Sequence, residues 1–291
     1  ETTDPTYGGV DTIEAGLGSD VVVGGALGDF LYAGGDEDTS RDIIMGDEGK
    51  LTFFALEGLK LDKAETTSPS YGGGDTITTG NGDNVVLGGS GADTVTAGIG
   101  DDVILGDNGV IDFSAADIVG SIVTSDPTYG GNDDIEAGLG ADIVVGGVGS
   151  DLLKAGGDAD VDQDIILGDE GELWFFSTGE LDRAFTAVPD IGDAEVTFDD
   201  TITTGNGDNI VLAGNGADTV TAGTGDDVIL GDNGIIDFSA PNIVASIVTT
   251  HPTDGGDDEI EAGLGADIVV GGVGSDTLEA GGDADFSRDI I

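Results

Sequence analysis

The chain of 291 residues contains no cysteine, so disulfides do not hold it together. Basic residues are nearly missing: 7 Lys and Arg stand against 60 Asp and Glu, and the formal net charge is -53. With no basic patch to displace counterions from phosphates, nucleic acid is excluded as a partner. No apolar run approaches the length that spans a bilayer, which argues against membrane insertion. HExxH, GxSxG and a cysteine nucleophile are all lacking, so no enzyme site is visible. The single histidine, His251, stands where the preceding copy of its segment has Asp126, and it reads as a turn residue. The sequence given, starting at Glu1 without a readable signal peptide and stopping in mid-repeat at RDII (288–291), is expected to be a piece of a longer protein.

What is abundant is glycine, 55 residues of it, in a regular beat. GGVGSDLLK at 146–154 returns as GGVGSDTLE at 271–279, with variants AGLGSDVVV (15–23), GGSGADTVT (88–96), AGIGDDVIL (97–105), AGLGADIVV (137–145 and 262–270) and AGTGDDVIL (222–230). Gly-rich turns thus alternate with three-residue apolar strands at a fixed period, the signature of a solenoid. The hydrophobic residues, 38% of the chain and evenly spaced, exclude disorder as the reason for the acidity. Asp outnumbers Glu roughly three to one and gathers at one turn position, which favours a metal-directed pattern over a halophilic surface.

A longer repeat overlies the short one. GDNG at 106–109 recurs at 231–234, and DPTYGG at 126–131 returns as HPTDGG at 251–256, both displaced by 125 residues. The predicted units are 1–125, with solenoid blocks at about 7–49 and 71–109 and inserts at 50–70 and 110–125; then 126–250, with blocks at about 129–171 and 199–234 and inserts at 172–198 and 235–250; then a partial third unit, 251–291. The inserts lack the nonapeptide beat, and VIDF followed by SIVTS reads as two strands with a connection.

Successive strand units should alternate between two sheets, each pointing its central residue inward. Odd units carry outward pairs such as Thr76/Thr78, Thr94/Thr96 and Glu259/Glu261, and even units carry Val85/Leu87, Val103/Leu105 and Ile210/Leu212. One sheet is therefore mostly polar outside, Phe30/Tyr32 and Leu152/Lys154 being the exceptions, and the other is apolar on both faces, which requires a cover. Two covers are open: the inserts, through Leu51, Phe53, Phe54, Ile111, Phe113, Ile118, Val119, Ile122 and Val123, or another copy of the chain in a fibre or sheet. Trp174, Phe175 and Phe176 read as core or cover. The paired threonines resemble ice-binding ladders on only two adjacent rungs per block, too few for that function.

Ca²⁺ takes six to eight oxygens in irregular geometry. A Gly-rich turn offers carbonyls, and an Asp at its end adds a charged oxygen. Asp20, Asp29, Asp93, Asp102, Asp142, Asp151, Asp218, Asp227, Asp267 and Asp276 fill that slot in the best-formed units, and Asp11, Asp75, Asp133 and Asp258 fill it where blocks begin. Asn84 and Asn209 occupy it without charge and count among the candidate ligands. Asp42, Asp164 and Asp289 follow enlarged acidic turns (34–42, 156–164 and 281–289), the second of which, with Asp158, Asp160 and Asp162, has the makings of one more Ca²⁺ site. Asp107 and Asp232, with Asp47 and Asp169, sit in GD(E/N)G turns as candidate terminal ligands, whereas Phe198 in place of Gly makes Asp200 a doubtful one.

These nonapeptides resemble the RTX family, whose repeat is GGxGxDxUx with U apolar, and the resemblance covers most of the chain outside the inserts. It implies an all-β fold, a right-handed parallel β-roll (a β-solenoid) interrupted here by short β-rich inserts, with Ca²⁺ as cofactor between successive turns. It also implies export from a Gram-negative bacterium by type I secretion, with folding outside the cell. Such a chain, needing metal to fold, is expected to be a calcium-rigidified structural segment of a large secreted repeat protein: an extracellular fibre, adhesin stalk or surface layer, self-associating or holding a surface or cell ligand. The alternative is the Ca²⁺-folded secretion module of a toxin or hydrolase whose catalytic domain lies elsewhere.

Overall fold

The computed structural model describes residues 2, 6, 8–55, 60–157, 159–188, 196–281 and 289–291. The three-residue apolar units form strands because β-branched side chains suit a pleated surface, and glycine turns end each after one inward residue. Odd units build a ten-stranded parallel sheet running from Thr12–Glu14 to Thr277–Glu279. Even units build a nine-stranded parallel sheet from Val21–Val23 to Ile268–Val270. Sequence neighbours never pair within these sheets; Val85–Leu87, for example, lies between Ile43–Met45 and Val103–Leu105. The chain thus winds as a β-roll. Its inner core is the stack of central residues, including Leu31, Ile77, Val95 and Ile135 from one sheet and Ile44, Val86, Ile104 and Val144 from the other.

Each insert is a β-hairpin. Gly49–Phe53 pairs with Leu61–Thr66, Gly109–Ala115 with Ile118–Thr124, Gly171–Phe175 with Leu181–Thr186, and Gly234–Ala240 with Ile243–Thr249. The four hairpins join side by side into one eight-stranded antiparallel sheet. They are laced together at their bases: Gly109, Gly171 and Gly234 each donate an N–H to the Oγ1 of the last threonine of the preceding hairpin, at 2.9, 2.9 and 2.7 Å. A hairpin leaves the roll after every second turn. Neighbouring strands lie about 4.8 Å apart in any sheet, so two hairpin strands are as wide as two roll rungs, and the third layer keeps step with the second.

This third sheet covers the apolar outer face of the even strands. Met45, Val85, Leu87, Leu105, Val145, Leu167, Leu212 and Leu230 pack with Leu61, Ile111, Phe113, Val119, Ile122, Leu173, Ala184, Ile236 and Phe238 in a second core. Leu51, Phe53 and Phe54 pack against it; Ile118 and Val123 are half-buried. The cover therefore comes from within the chain, and the apolar face is not available for joining a second copy. Trp174 departs from expectation: Leu173 points inward, so its neighbour faces out, 46% exposed, with Nε1 donating to Glu172. The odd sheet leaves Thr94, Thr96, Asp134 and Glu136 exposed to solvent, as their alternation requires.

Short 3₁₀ turns at Pro69–Tyr71 and Pro127–Tyr129 return the chain from a hairpin to the roll. Ser68 and Asp126 precede them in left-handed backbone, and His251 has the same conformation (φ 48°) before Pro252. His, like Asp and Asn, visits this region more readily than most residues, so His251 is part of a turn. Among the described residues no helix is long and apolar enough to cross a membrane.

Candidate metal centres

The turns on each side of the roll stack into a column, and the slot residues form a continuous ladder within it. In the first column the order is Asp11, Asp29, Asp75, Asp93, Asp133, Asp151, Asp200, Asp218, Asp258, Asp276. The main-chain N–H of each residue donates to Oδ1 of the next. The second column runs Asp20, Asp42, Asn84, Asp102, Asp142, Asp164, Asn209, Asp227, Asp267, Asp289 with the same link. The bonds measure 2.6–3.3 Å. One carboxylate oxygen per slot is thus consumed in holding successive turns in register.

At fourteen of these slots the other oxygen has no hydrogen-bond partner among the described residues. Oδ2 of Asp29, Asp75, Asp93, Asp133, Asp151, Asp200, Asp218 and Asp258, and of Asp20, Asp42, Asp102, Asp142, Asp164 and Asp227, is buried without a hydrogen bond among the described residues. A buried unpaired carboxylate oxygen is costly, and repeating it along both columns requires a counter-charge. The glycines complete the cradle. A Cβ on Gly88 would lie 2.4 Å from Asp93 Oδ2 and 2.2 Å from Gly106 O, and one on Gly46 would lie 2.0 Å from Asp75 Oδ2 and 2.4 Å from Gly88 O. Carboxylate and carbonyl oxygens converge where no side chain intrudes, a donor set of the hard-oxygen type that suits Ca²⁺.

Electrostatics agree. Burial, reinforced by the Asp102, Asp164 and Asp160 carboxylates, pushes Asp142 up to about 9. Burial and the neighbours Asp258 and Asp232 push Asp218 to about 9. Asp75 rises to about 8, and Asp102, Asp151, Asp164, Asp227 and Asp258 to about 7, in each case chiefly through desolvation. Asp93, Asp133 and Asp200 are also driven well above the usual carboxylate range by burial. A divalent cation beside these groups would reverse the shift.

Two enlarged turns add a third carboxylate. Oxygens of Asp20, Asp38 and Asp42, and of Asp142, Asp160 and Asp164, lie within 4.8 Å of one another. Asp160 is buried with Oδ2 unpaired, while Asp162 is exposed. Asp158 and most of the 281–289 turn lie outside the described residues.

Asp107 and Asp232 occupy a different environment. Asp107 accepts N–H bonds from Gly131 at 3.1 Å on Oδ1 and from Val148 at 2.6 Å on Oδ2, and Asp232 does the same with Gly256 and Val273. Asp47 repeats the pattern with Gly73 and Ser90, and Asp169 accepts from Asn215. Each clasps the base of a hairpin, joining the outgoing chain to the next rung. Asp200, doubted because of Phe198, stands in the ladder like any other slot. The place of Phe198 contributes a main-chain carbonyl, which lies 2.2 Å from the Cβ position of Gly216, and a carbonyl does not depend on the side chain.

The RTX calcium-binding nonapeptide repeat, as a family model, matches residues 6–40, 70–109, 128–162, 197–229 and 252–286. The stacked Asp turns and this match define a Ca²⁺-binding repeat protein. The chain belongs to the RTX calcium-binding nonapeptide repeat family. No curated protein and no solved structure matches it.

Proposed function

We propose that this chain is a calcium-rigidified structural segment of a large secreted repeat protein, such as an extracellular fibre, adhesin stalk or surface layer. The observation that carries the reading is the matched advance of roll and hairpin sheet: two turns and one hairpin form a unit that stacks on its like without distortion. Ca²⁺ is held between turns by Asp11, Asp20, Asp29, Asp42, Asp75, Asp93, Asp102, Asp133, Asp142, Asp151, Asp164, Asp200, Asp218, Asp227, Asp258, Asp267, Asp276 and Asp289 with turn carbonyls, and Asp38 and Asp160 complete the enlarged sites. The 125-residue repeat, two such units long, is the module of construction. Secretion from a Gram-negative cell fits a fold that, above neutral pH, depends on the roughly 10⁻⁴–10⁻³ M Ca²⁺ at which extracellular modules work. Any surface ligand or other copy is met by the polar outer sheet or the outer hairpin face, since the apolar strip is covered.

Small-angle scattering at pH 8 tests the reading. In millimolar Ca²⁺ the chain should be a compact rod, ten rungs of about 4.8 Å in length, and in EGTA an expanded coil. Identical scattering in the two conditions overturns it.

A further inference from the structure

The side chains of Asn84 and Asn209 are fully buried in the slot that carries aspartate on the other rungs of their column. Their orientation is set by their partners. Asn84 Oδ1 accepts the Asp42 N–H at 3.0 Å, so the amide nitrogen must face the other way. There Nδ2 donates to Thr79 Oγ1 at 3.0 Å, Gly80 O at 3.2 Å and Gly82 O at 2.7 Å. Asn209 repeats this: Oδ1 accepts from Asp164 at 2.9 Å, and Nδ2 donates to Thr204 Oγ1 at 3.0 Å, Gly205 O at 3.4 Å and Gly207 O at 3.0 Å. Where Asp42, Asp102 and Asp164 hold an unpaired Oδ2 over the turn, these two rungs hold a donor that is already satisfied.

A second substitution travels with the first. Five residues before the slot the sequence reads Ala in AGLGSD (15–20), AGIGDD (97–102), AGLGAD (137–142 and 262–267) and AGTGDD (222–227), but Thr in TGNGDN at both 79–84 and 204–209. The threonine hydroxyl adds an acceptor, so that the two amide hydrogens are shared among three oxygens. The adjacent carboxylates do not restore the charge. Asp83 and Asp208 are exposed and accept the N–H groups of Asp101 and Asp226.

We propose that the turns 79–84 and 204–209 are built to close without a metal ion, the asparagine NH₂ taking the place of the cation among the turn oxygens. An amide NH₂ donates hydrogen bonds and does not ligate Ca²⁺, which takes oxygen. Each such turn follows a three-carboxylate turn (Asp20, Asp38, Asp42 and Asp142, Asp160, Asp164), so the column sets a neutral rung beside its most anionic one. The inference rests on the reading that the aspartate slots hold Ca²⁺, and its test separates the two.

Bound Ca²⁺ is counted by native mass spectrometry for the wild-type chain and for N84D/N209D at saturating ion, with circular dichroism to establish folding. The double variant should bind two more ions than wild type, one per substitution. An unchanged count in a folded variant overturns the proposal while leaving the aspartate sites standing; a wild-type chain that binds no ion overturns both. Should the variant fail to fold, hydrogen exchange in the Ca²⁺-loaded wild type decides. The side-chain NH₂ groups of Asn84 and Asn209 should exchange at least about tenfold more slowly than that of exposed Asn242, as buried, hydrogen-bonded groups do. Equal rates overturn the proposal.

Discussion

Protons and Ca²⁺ should compete for the same carboxylates, which makes the metal-free fold an acid-stabilised one. Asp102, Asp151, Asp164, Asp227 and Asp258 sit at about 7 in the folded chain, Asp75 at about 8, and Asp142 and Asp218 at about 9, against an ordinary value of 3.8. One pKa unit is worth about 1.4 kcal/mol, so shifts of this size disfavour the metal-free fold by about 4 kcal/mol each at the deeply buried groups, and by less at the better-solvated Asp258, once pH exceeds the folded value. Two to four of them match the about 5–15 kcal/mol that stabilises a typical domain. The folded values are raised, so the protonated metal-free fold keeps its full stability below the open-chain value near 4 and loses it as pH climbs through the folded values to about 9. In chelator-treated buffer, circular dichroism should show more β structure at pH 5 than at pH 8.5. Millimolar Ca²⁺ should restore the roll at pH 8.5, and near pH 7 its binding should release protons, measured by titration calorimetry in buffers of different ionisation enthalpy. Equal metal-free β content at the two pH values, with no proton release, would refute the reasoning.

Leu105→Ala, emptying a fully buried place between the even sheet and the hairpins, should cost about 2–5 kcal/mol in denaturant unfolding with Ca²⁺ present; Thr94→Ala on the exposed face should stay within about 0.5 kcal/mol. Gly88→Ala would place Cβ against Asp93 Oδ2 and Gly106 O, and ion counting should show the loss of Ca²⁺ at that turn. Asp107→Asn, which turns an acceptor into a donor facing a main-chain N–H, should destabilise by about 1–3 kcal/mol without changing the number of bound ions.

The roll itself was legible because its period is short and its side-chain alternation strict. Triplets such as Ile43, Ile44 and Met45, apolar on both sides, announced a covered sheet, and all three are buried. The inserts could be read as strands, but not as partners of one another. Ser121 pairs with Trp174 across an intervening stretch of roll, and no local pattern encodes which hairpin edge meets which. At the turns the sequence marks which positions carry a carboxylate, yet two distinctions lie only in the three-dimensional arrangement. The GDxG aspartates share composition with the ladder aspartates and differ only in which N–H groups surround them. The asparagines differ through the direction of the amide, which Thr79 and Thr204 could have signalled, since they replace the alanine of AGLGSD, AGIGDD, AGLGAD and AGTGDD at that place.

Because a hairpin and two rungs have equal width, length can change only in whole quanta. A gene that gained or lost a single coil would throw every later hairpin half a step out of phase with its neighbours, breaking the Thr–Gly lacing and uncovering oily surface. Recombination between tandem copies is therefore filtered by mechanics, and surviving variants should differ by paired coils, their ion complement scaling in proportion.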